Sequence, residues 1–344
     1  MKVLLITDQH FGVRNDNQFF INHYKKFYGE IVIPFLKASG ISTVICLGDT
    51  FDRRRSINFM SLDEAKKMWF DPLEEMGVKM HMLVGNHDIY YKNTLRVNAP
   101  GELLGQYSNI TVHDRPTTID VDGLPILLLP WICDENYDES LRSITESPAT
   151  VVMGHLEFNG FEAHPGHMME TGMDHSIFKK FDKVFSGHYH MKSKRDNVVY
   201  LGNPYQLYWN DYASKRGFHV LDTDTLKTTF YRNPFTTFHK LYYNDGVAIP
   251  DHRELEGTFV KLIVEDKGDY AKFDYAVNQL QSMGLADLKI IEDLSLDLEN
   301  GNAVVESEDT LSLLDNYIDE IDLKVNKGNI KSVMRSLYME ASEL

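Results

Sequence analysis

The chain has 344 residues, 43% of them hydrophobic and 12% aromatic, an ordinary globular composition with enough apolar material for one large domain or two. Its only cysteines, Cys46 and Cys133, sit in apolar runs and form no CxxC pair, which excludes a disulfide framework and a cysteine metal site. The net charge of −16 speaks against a polyanion partner until it is located: residues 245–344 hold 22 Asp and Glu against 9 Lys and Arg, leaving only −3 for residues 1–244.

In chain order, six short apolar runs end beside polar residues: "VLLITDQH" (3–10), "STVICLGD" (42–49), "HMLVGNHD" (81–88), "ATVVMGH" (149–155), "KVFSGHYH" (183–190) and "VVYLGNP" (198–204). Each is rich in β-branched residues and bounded by turn chemistry, as a buried strand is. Helical stretches lie between the early runs at 18–40 and 61–77, the second with Ser61 as its N-cap and Gly77 as its stop. This alternation predicts an α/β layered sheet. The longest apolar run, "LPILLLPWIC" (124–133), is too short and proline-broken to cross a membrane, and the N-terminus reaches Asp8 too soon for a signal peptide, so a cytoplasmic protein with no membrane partner is expected.

Further on, 216–234 reads as a hairpin, 257–266 as a strand, 270–284 as an amphipathic helix closed by Gly284, and 286–295 as another strand, together a small β-α-β unit. From Glu292 to Asp322 there are 11 acidic residues and no basic one. "LENGNAVVESED" (298–309) fits a solvated linker, while 311–321 and 329–344 place apolar residues at helical spacing. Helices this short are marginal alone in water, so they should dock on something.

In layered sheets ligands bind beyond the carboxyl ends of the strands, where glycine lets the backbone approach closely. The residues delivered there are Asp8 and His10, Asp49, Asn86 with His87, His155, and His188 with His190. Singly, each has a bland reading as a cap, turn or satisfied side chain. As a set of oxygen and imidazole donors they suit Mn, Fe or Zn, and they exceed the roughly four to six positions of one ion, so two ions sharing a bridging carboxylate are expected. Basic groups follow several of these strand ends: Arg53, Arg54 and Arg55, Lys92 and Arg96, and Lys192, Lys194 and Arg195. They are either a solvated face or DNA contacts. His164, His167 and His175 fall in a stretch (162–175) read as a surface loop, and the other histidines are read as structural.

The blocks "DQH", "GDTFD", "GNHD", "GH" and "GHYH", in that order, resemble the calcineurin-like metallophosphoesterases over roughly residues 1–235. Within them the chain is similar to the SbcD branch of double-strand-break repair nucleases. It is most similar to the recombination endonuclease subunits of T-even-like bacteriophages, in the spacing of "GDTFD" to "GNHDIYYKN", in "LPWICDEN" (129–136) and in "GHLEFNGF" (154–161).

The resemblance implies a layered β-sandwich core flanked by helices, with a small α+β capping domain and C-terminal helices. Its domains would be a nuclease domain at 1–243, a DNA-guiding cap at 244–297, an acidic linker at 298–309, and a helical segment at 310–344 binding the coiled-coil base of an SbcC-type ABC ATPase. It implies two divalent ions, manganese first and magnesium as the alternative. One would be held by Asp8, His10, Asp49 and His190, the other by Asp49, Asn86, His155 and His188. The ions would activate the attacking water, His87 would assist the departing oxygen, and Asp88 would orient His87 or merely cap the turn. The implied activity is exonucleolytic and endonucleolytic hydrolysis of DNA, by a homodimer within a heterotetramer. One departure is Asp52, where many archaeal and eukaryotic members carry histidine. "DRRR" is also similar to the "GDxVDRG" of serine/threonine phosphatases, which keeps a phosphomonoesterase or protein phosphatase as an alternative, although this chain has "RRSI" where those enzymes place glycine and "GNHD" where they have "GNHE". A non-catalytic tether for the ATPase is the third reading.

Overall fold

The computed structural model describes residues 1–164 and 167–292, with the isolated positions Ile318, Lys327, Gly328, Ile330, Lys331 and Met334. Its strands are β1 (Lys2–Ile6), β2 (Thr43–Cys46), β3 (Lys79–Leu83), β4 (Ile110–His113), β5 (Thr117–Val121), β6 (Leu124–Leu129), β7 (Val151–His155), β8 (Glu162–His164) and β9 (His167–Met168). They continue with β10 (Lys183–Gly187), β11 (Ser193–Arg195), β12 (Val198–Tyr200), β13 (Gly217–Asp222), β14 (Thr228–Arg232), β15 (Phe238–Asn244), β16 (Phe259–Asp266) and β17 (Asp287–Glu292). Two six-stranded sheets, ordered β14-β13-β1-β2-β3-β4 and β11-β12-β10-β7-β6-β5, face each other. All six apolar runs of the sequence are strands.

Successive side chains on a strand point to opposite faces, and both faces here are covered. Val3 and Leu5, Ile45 and Leu47, Ile126 and Leu128, and Val151 and Met153 fill the layer between the sheets. Leu4 and Ile6, with Val44 and Cys46, turn outward onto the helices, while Leu127, Val152 and Val184 cover the other sheet's outer face. Double burial explains why these strands read as continuous apolar runs.

The two helical stretches are each divided by a π segment, Phe27–Val32 and Lys66–Phe70, that leads into a proline, Pro34 or Pro72. Proline lacks an N–H and crowds the carbonyl four residues back. The ladder widens by one residue to accommodate it, so that Ile33 N–H donates to Tyr28 O and Asp71 N–H to Lys66 O. The second stretch begins earlier than expected: Asn58 caps it by accepting from Met60 N–H, and Ser61, the expected cap, instead donates its hydroxyl to Asp16 at 2.6 Å. Gly77 ends it in the left-handed region, φ 65°.

The hairpin at 216–234 is β13–β14, paired antiparallel. The small unit has β15-β16-β17 in parallel register, covered by the helix Tyr270–Gln281 through Phe273, Ala276 and Leu280. The sequence reading ends the first unit at residue 243; in the structure β15 pairs with β16, and its Leu241 and Tyr243 join the small core. The Phe259 ring meets Phe20 at 5.4 Å and Phe238 at 5.5 Å, joining this unit to the helix Gln18–Lys26. The stretch read as a loop at 162–175 contains the short pair β8–β9. Its strand pairing was hidden by a run of only three and two residues. The acidic linker and most of the C-terminal helical segment lie outside the described residues; Ile318 is helical and 5% exposed. Among the described residues no helix is long and apolar enough to cross a membrane.

Candidate metal centre

The ends of β1, β2, β3, β7 and β10 deliver their polar residues to one rim, and the backbone there is bent to do so. Asp8 (φ 51°), His10 (φ 47°), Asp49 (φ 51°) and His188 (φ 85°) all occupy the left-handed region. That region disfavours side chains, and its use by non-glycine residues clusters at functional sites. The strained loops brace one another: Asp8 N–H donates to Gly48 O at 3.0 Å and His10 N–H to Asp49 O at 3.1 Å. A side chain on Gly85 would overlap the Asp49 carboxylate, so that close approach requires glycine.

Asp49 is central. Its Oδ1 accepts from His87 N–H at 2.8 Å, while Oδ2 lies 3.2 Å from His155 Nε2 and 3.9 Å from His10 Nε2. On one side His10 Nε2 and His190 Nε2 are 3.1 Å apart, and Asp8 accepts from His188 N–H at 3.0 and 3.2 Å. On the other, Asn86 Oδ1 lies 2.9 Å from both His155 Nε2 and His188 Nδ1. His155 Nδ1 is 2.7 Å from Leu47 O, which can only accept, so Nδ1 is protonated and Nε2 is the nitrogen turned to the centre, open to a cation once it gives up its own proton. Ligand atoms within 4.8 Å of one another form the groups Asp8, His10, His190 and Asp49, His155, His188, with His10, Asp49, His87 between them. Asp49 belongs to the last two of these groups and His10 to two of them, so the three groups run into one another.

Burial works against charge on Asp49, but His155, His87 and His10 outweigh it and hold the carboxyl well below its usual range. At Asp8 burial prevails and, with Asp49 nearby, pushes the carboxyl up. Burial likewise opposes charge on His10 and His155, yet the Asp52, Asp49 and Asp8 carboxylates raise His10 to about 9, and Asp49 and Asp8 raise His155 to about 9. His188, buried and facing His155, falls to about 3. The donor set, carboxylate, amide and imidazole without thiolate, fits hard to borderline divalent ions.

His87 is half-buried, and its Nδ1 lies 2.7 Å from the carbonyl of Asp52, not from Asp88. Asp88 is fully buried and accepts from the N–H groups of Gly85 (2.9 Å), Thr50 (3.0 Å) and Phe51 (3.1 Å), because its side chain points back under its own turn. Of the two readings of Asp88, orienting His87 or capping the turn, these backbone contacts are of the second kind, and they also tie the two loops together. Asp52 takes both orienting contacts, its carbonyl to His87 and its Oδ1 3.2 Å from His10 Nδ1. Sequence spacing gave no sign of this, since one contact is made by backbone.

Of the basic groups, Arg53 is engaged by Asn15 and lies 3.6 Å from Asp16, Arg54 is half-buried, and Arg55 lies 6.0 Å above the Tyr90 ring. Lys92, Arg96 and Lys194 are exposed, Lys192 packs 3.9 Å over Phe230, and Arg195 donates to Gly160 O at 3.1 Å. Two neighbours escaped the sequence reading. The Trp131 ring lies 5.0 Å from His188, and buried Arg216, paired with Asp211 at 2.7 Å, also donates to His190 O.

Residues 1–192 match the family described as calcineurin-like phosphoesterase. The chain is 33% identical over 351 residues to "Exonuclease subunit 1" of Enterobacteria phage T4, covering 100% of both chains. It is 20% identical over 387 residues to the SbcD subunit of the SbcCD nuclease of Staphylococcus saprophyticus, again with 100% of both covered. With the family's region spanning the whole rim from Asp8 to His190, and a relative matched from end to end, the chain belongs to the calcineurin-like phosphoesterases.

Proposed function

We propose that this protein is a metal-dependent DNA phosphodiester hydrolase, both exonuclease and endonuclease, acting with an SbcC-type ATPase in a recombination and double-strand-break repair complex. The observation that carries the reading is Asp49 Oδ2, a single oxygen within 3.9 Å of imidazoles from both halves of the rim. The names of the two full-length relatives point to a nuclease and to an SbcCD-type assembly. Two divalent ions, Mn²⁺ or Mg²⁺, would be held by Asp8, His10, Asp49 and His190, and by Asp49, Asn86, His155 and His188, where they would screen the phosphodiester charge and acidify water. His87 Nδ1 donates to the Asp52 carbonyl, so its Nε2 is the nitrogen available to protonate a departing oxygen. Asp49 fixes the His87 backbone through Oδ1, coupling the proton donor to the bridge. In this reading the unit built on β15–β17 guides DNA, the C-terminal segment grips the ATPase, and two copies pair in a cytoplasmic heterotetramer.

The test incubates the purified chain, with and without an SbcC-type partner, with end-labelled linear DNA under Mn²⁺, Mg²⁺ or chelator. Shortened products with metal and none with chelator are expected. Hydrolysis of p-nitrophenyl phosphate without any DNA cutting would replace this reading by a phosphomonoesterase, and no hydrolysis of either by a tether.

A further inference from the structure

Beside the metal centre lies a cavity of about 300 Å³ that the phosphodiesterase chemistry does not use. Its lining includes Trp131, Tyr137, Phe158 and Met173, with His155 from the rim and the carboxylate of Glu157. Trp131 belongs to both places: its ring centroid is 5.0 Å from that of His188 and 6.0 Å from that of His155, and its backbone N–H donates to Val84 O at 2.8 Å. Tyr137, also in the lining, is 48% exposed. The Glu157 Oε1 lies 3.5 Å from the Thr171 hydroxyl.

The volume is at the low end for small-molecule sites, roughly 300–1,000 Å³, which admits one planar ring system and not a base pair. Aromatic and thioether side chains suit the face of such a ring, the Glu157 carboxylate disfavours a phosphate, and base stacking on aromatic side chains is tolerant of sequence. The Trp131 ring, 5.0 Å from that of His188, borders both the cavity and the rim, so a base adjoining a phosphodiester at the rim would meet it. We propose that this cavity receives one unpaired nucleobase from a nucleotide adjoining the scissile phosphate, Trp131 and Tyr137 stacking on it and Glu157 accepting from an amino or imino edge. The substrate is then a single strand or a frayed end, and a duplex must open its terminal pair before it is cut. This rests on the phosphodiesterase reading above.

The experiment compares kcat/KM on a short single-stranded oligonucleotide with kcat/KM on the same strand carrying a tetrahydrofuran abasic residue at the terminal or penultimate position, under Mn²⁺. The wild type should prefer the intact base at one of these positions by about tenfold, the scale of one stacked base. In Tyr137→Ala and Trp131→Ala that ratio should fall toward one, with Trp131→Phe restoring most of it. Taking a ratio within each variant cancels any general loss of activity, and the wild type's own abasic preference stands even if Trp131→Ala fails to fold. Bis(p-nitrophenyl) phosphate, which carries no base, reports on the metal centre separately. If DNA is cut with equal efficiency at intact and abasic strands, this inference is overturned and the nuclease reading survives. If the wild type cuts neither DNA nor the diester, both fall.

Discussion

Asp49 divides its carboxylate between two tasks, one oxygen fixing the backbone of His87 and the other facing His10 and His155. Removing it should therefore damage both halves of the centre. Asp49→Ala is expected to lose both ions, seen as metal content after desalting, and retention of two ions would refute the bridge. His87→Gln should keep both ions yet lower cleavage by about 10²- to 10⁴-fold, the usual worth of a positioned proton donor. The same residues predict a pH dependence for metal uptake. His10 and His155 sit near 9 because buried carboxylates stabilise their charged forms. At neutral pH both carry protons that an incoming cation must displace, so affinity should rise with pH up to about 9 and fall by as much as roughly tenfold per displaced proton for each unit below it. Calorimetry at pH 7 in buffers of different ionisation enthalpy should register proton release. A heat of binding independent of buffer would contradict it.

At the scale of the element, the rim is held by loops that bond to each other. Asp88 gathers three buried N–H groups from the loops after β2 and β3. Asp88→Ala would leave those donors without partners at about 1–3 kcal/mol each, partly relieved by water. A loss of about 3 kcal/mol in urea unfolding, together with weakened metal binding, is expected; unchanged stability would show the loops to be independent. The strand bodies were legible because burial on both faces writes them as unbroken apolar runs, and the polar cluster at the rim because its members stand at equivalent strand ends. The contacts of Asp88, Asp52 and Arg216 were not, since each joins separate loops and uses a backbone atom at one end. The π segments also escaped, because a proline within a helical pattern can break, kink or widen the ladder, and only packing decides. The β5–β6 hairpin turns at Asp122 and Gly123 with φ 58° and 80°, and "VDGL" carries that turn signal; the half-polar "TTIDV" before it hid the strand.

Across the whole molecule, three histidines far from the rim in sequence are packed as neutral side chains: His23 (8% exposed), His113 (6%) and His219 (5%). Burial lowers each to about 4, helped by Lys26 at His23, by His81 at His113 and by Lys192 at His219. The ordinary value in an unfolded chain is about 6.5, so between about 6.5 and 4 the unfolded chain binds more protons than the folded one. Stability therefore rises with pH through that window and drains away as the pH falls through it, by up to about 3 kcal/mol for each fully buried group. His23→Gln removes one titrating site and leaves the other two. Measured in chelator by urea unfolding at pH 6.5 and 4.5, the variant should lose about 2 to 3 kcal/mol less than the wild type between the two conditions, whatever its stability at pH 6.5. The metal ligands titrate in both proteins and cancel in this difference. Equal losses in the two proteins would mean that His23 opens to solvent and charges without unfolding the helix Gln18–Lys26 on which the small β15–β17 unit rests.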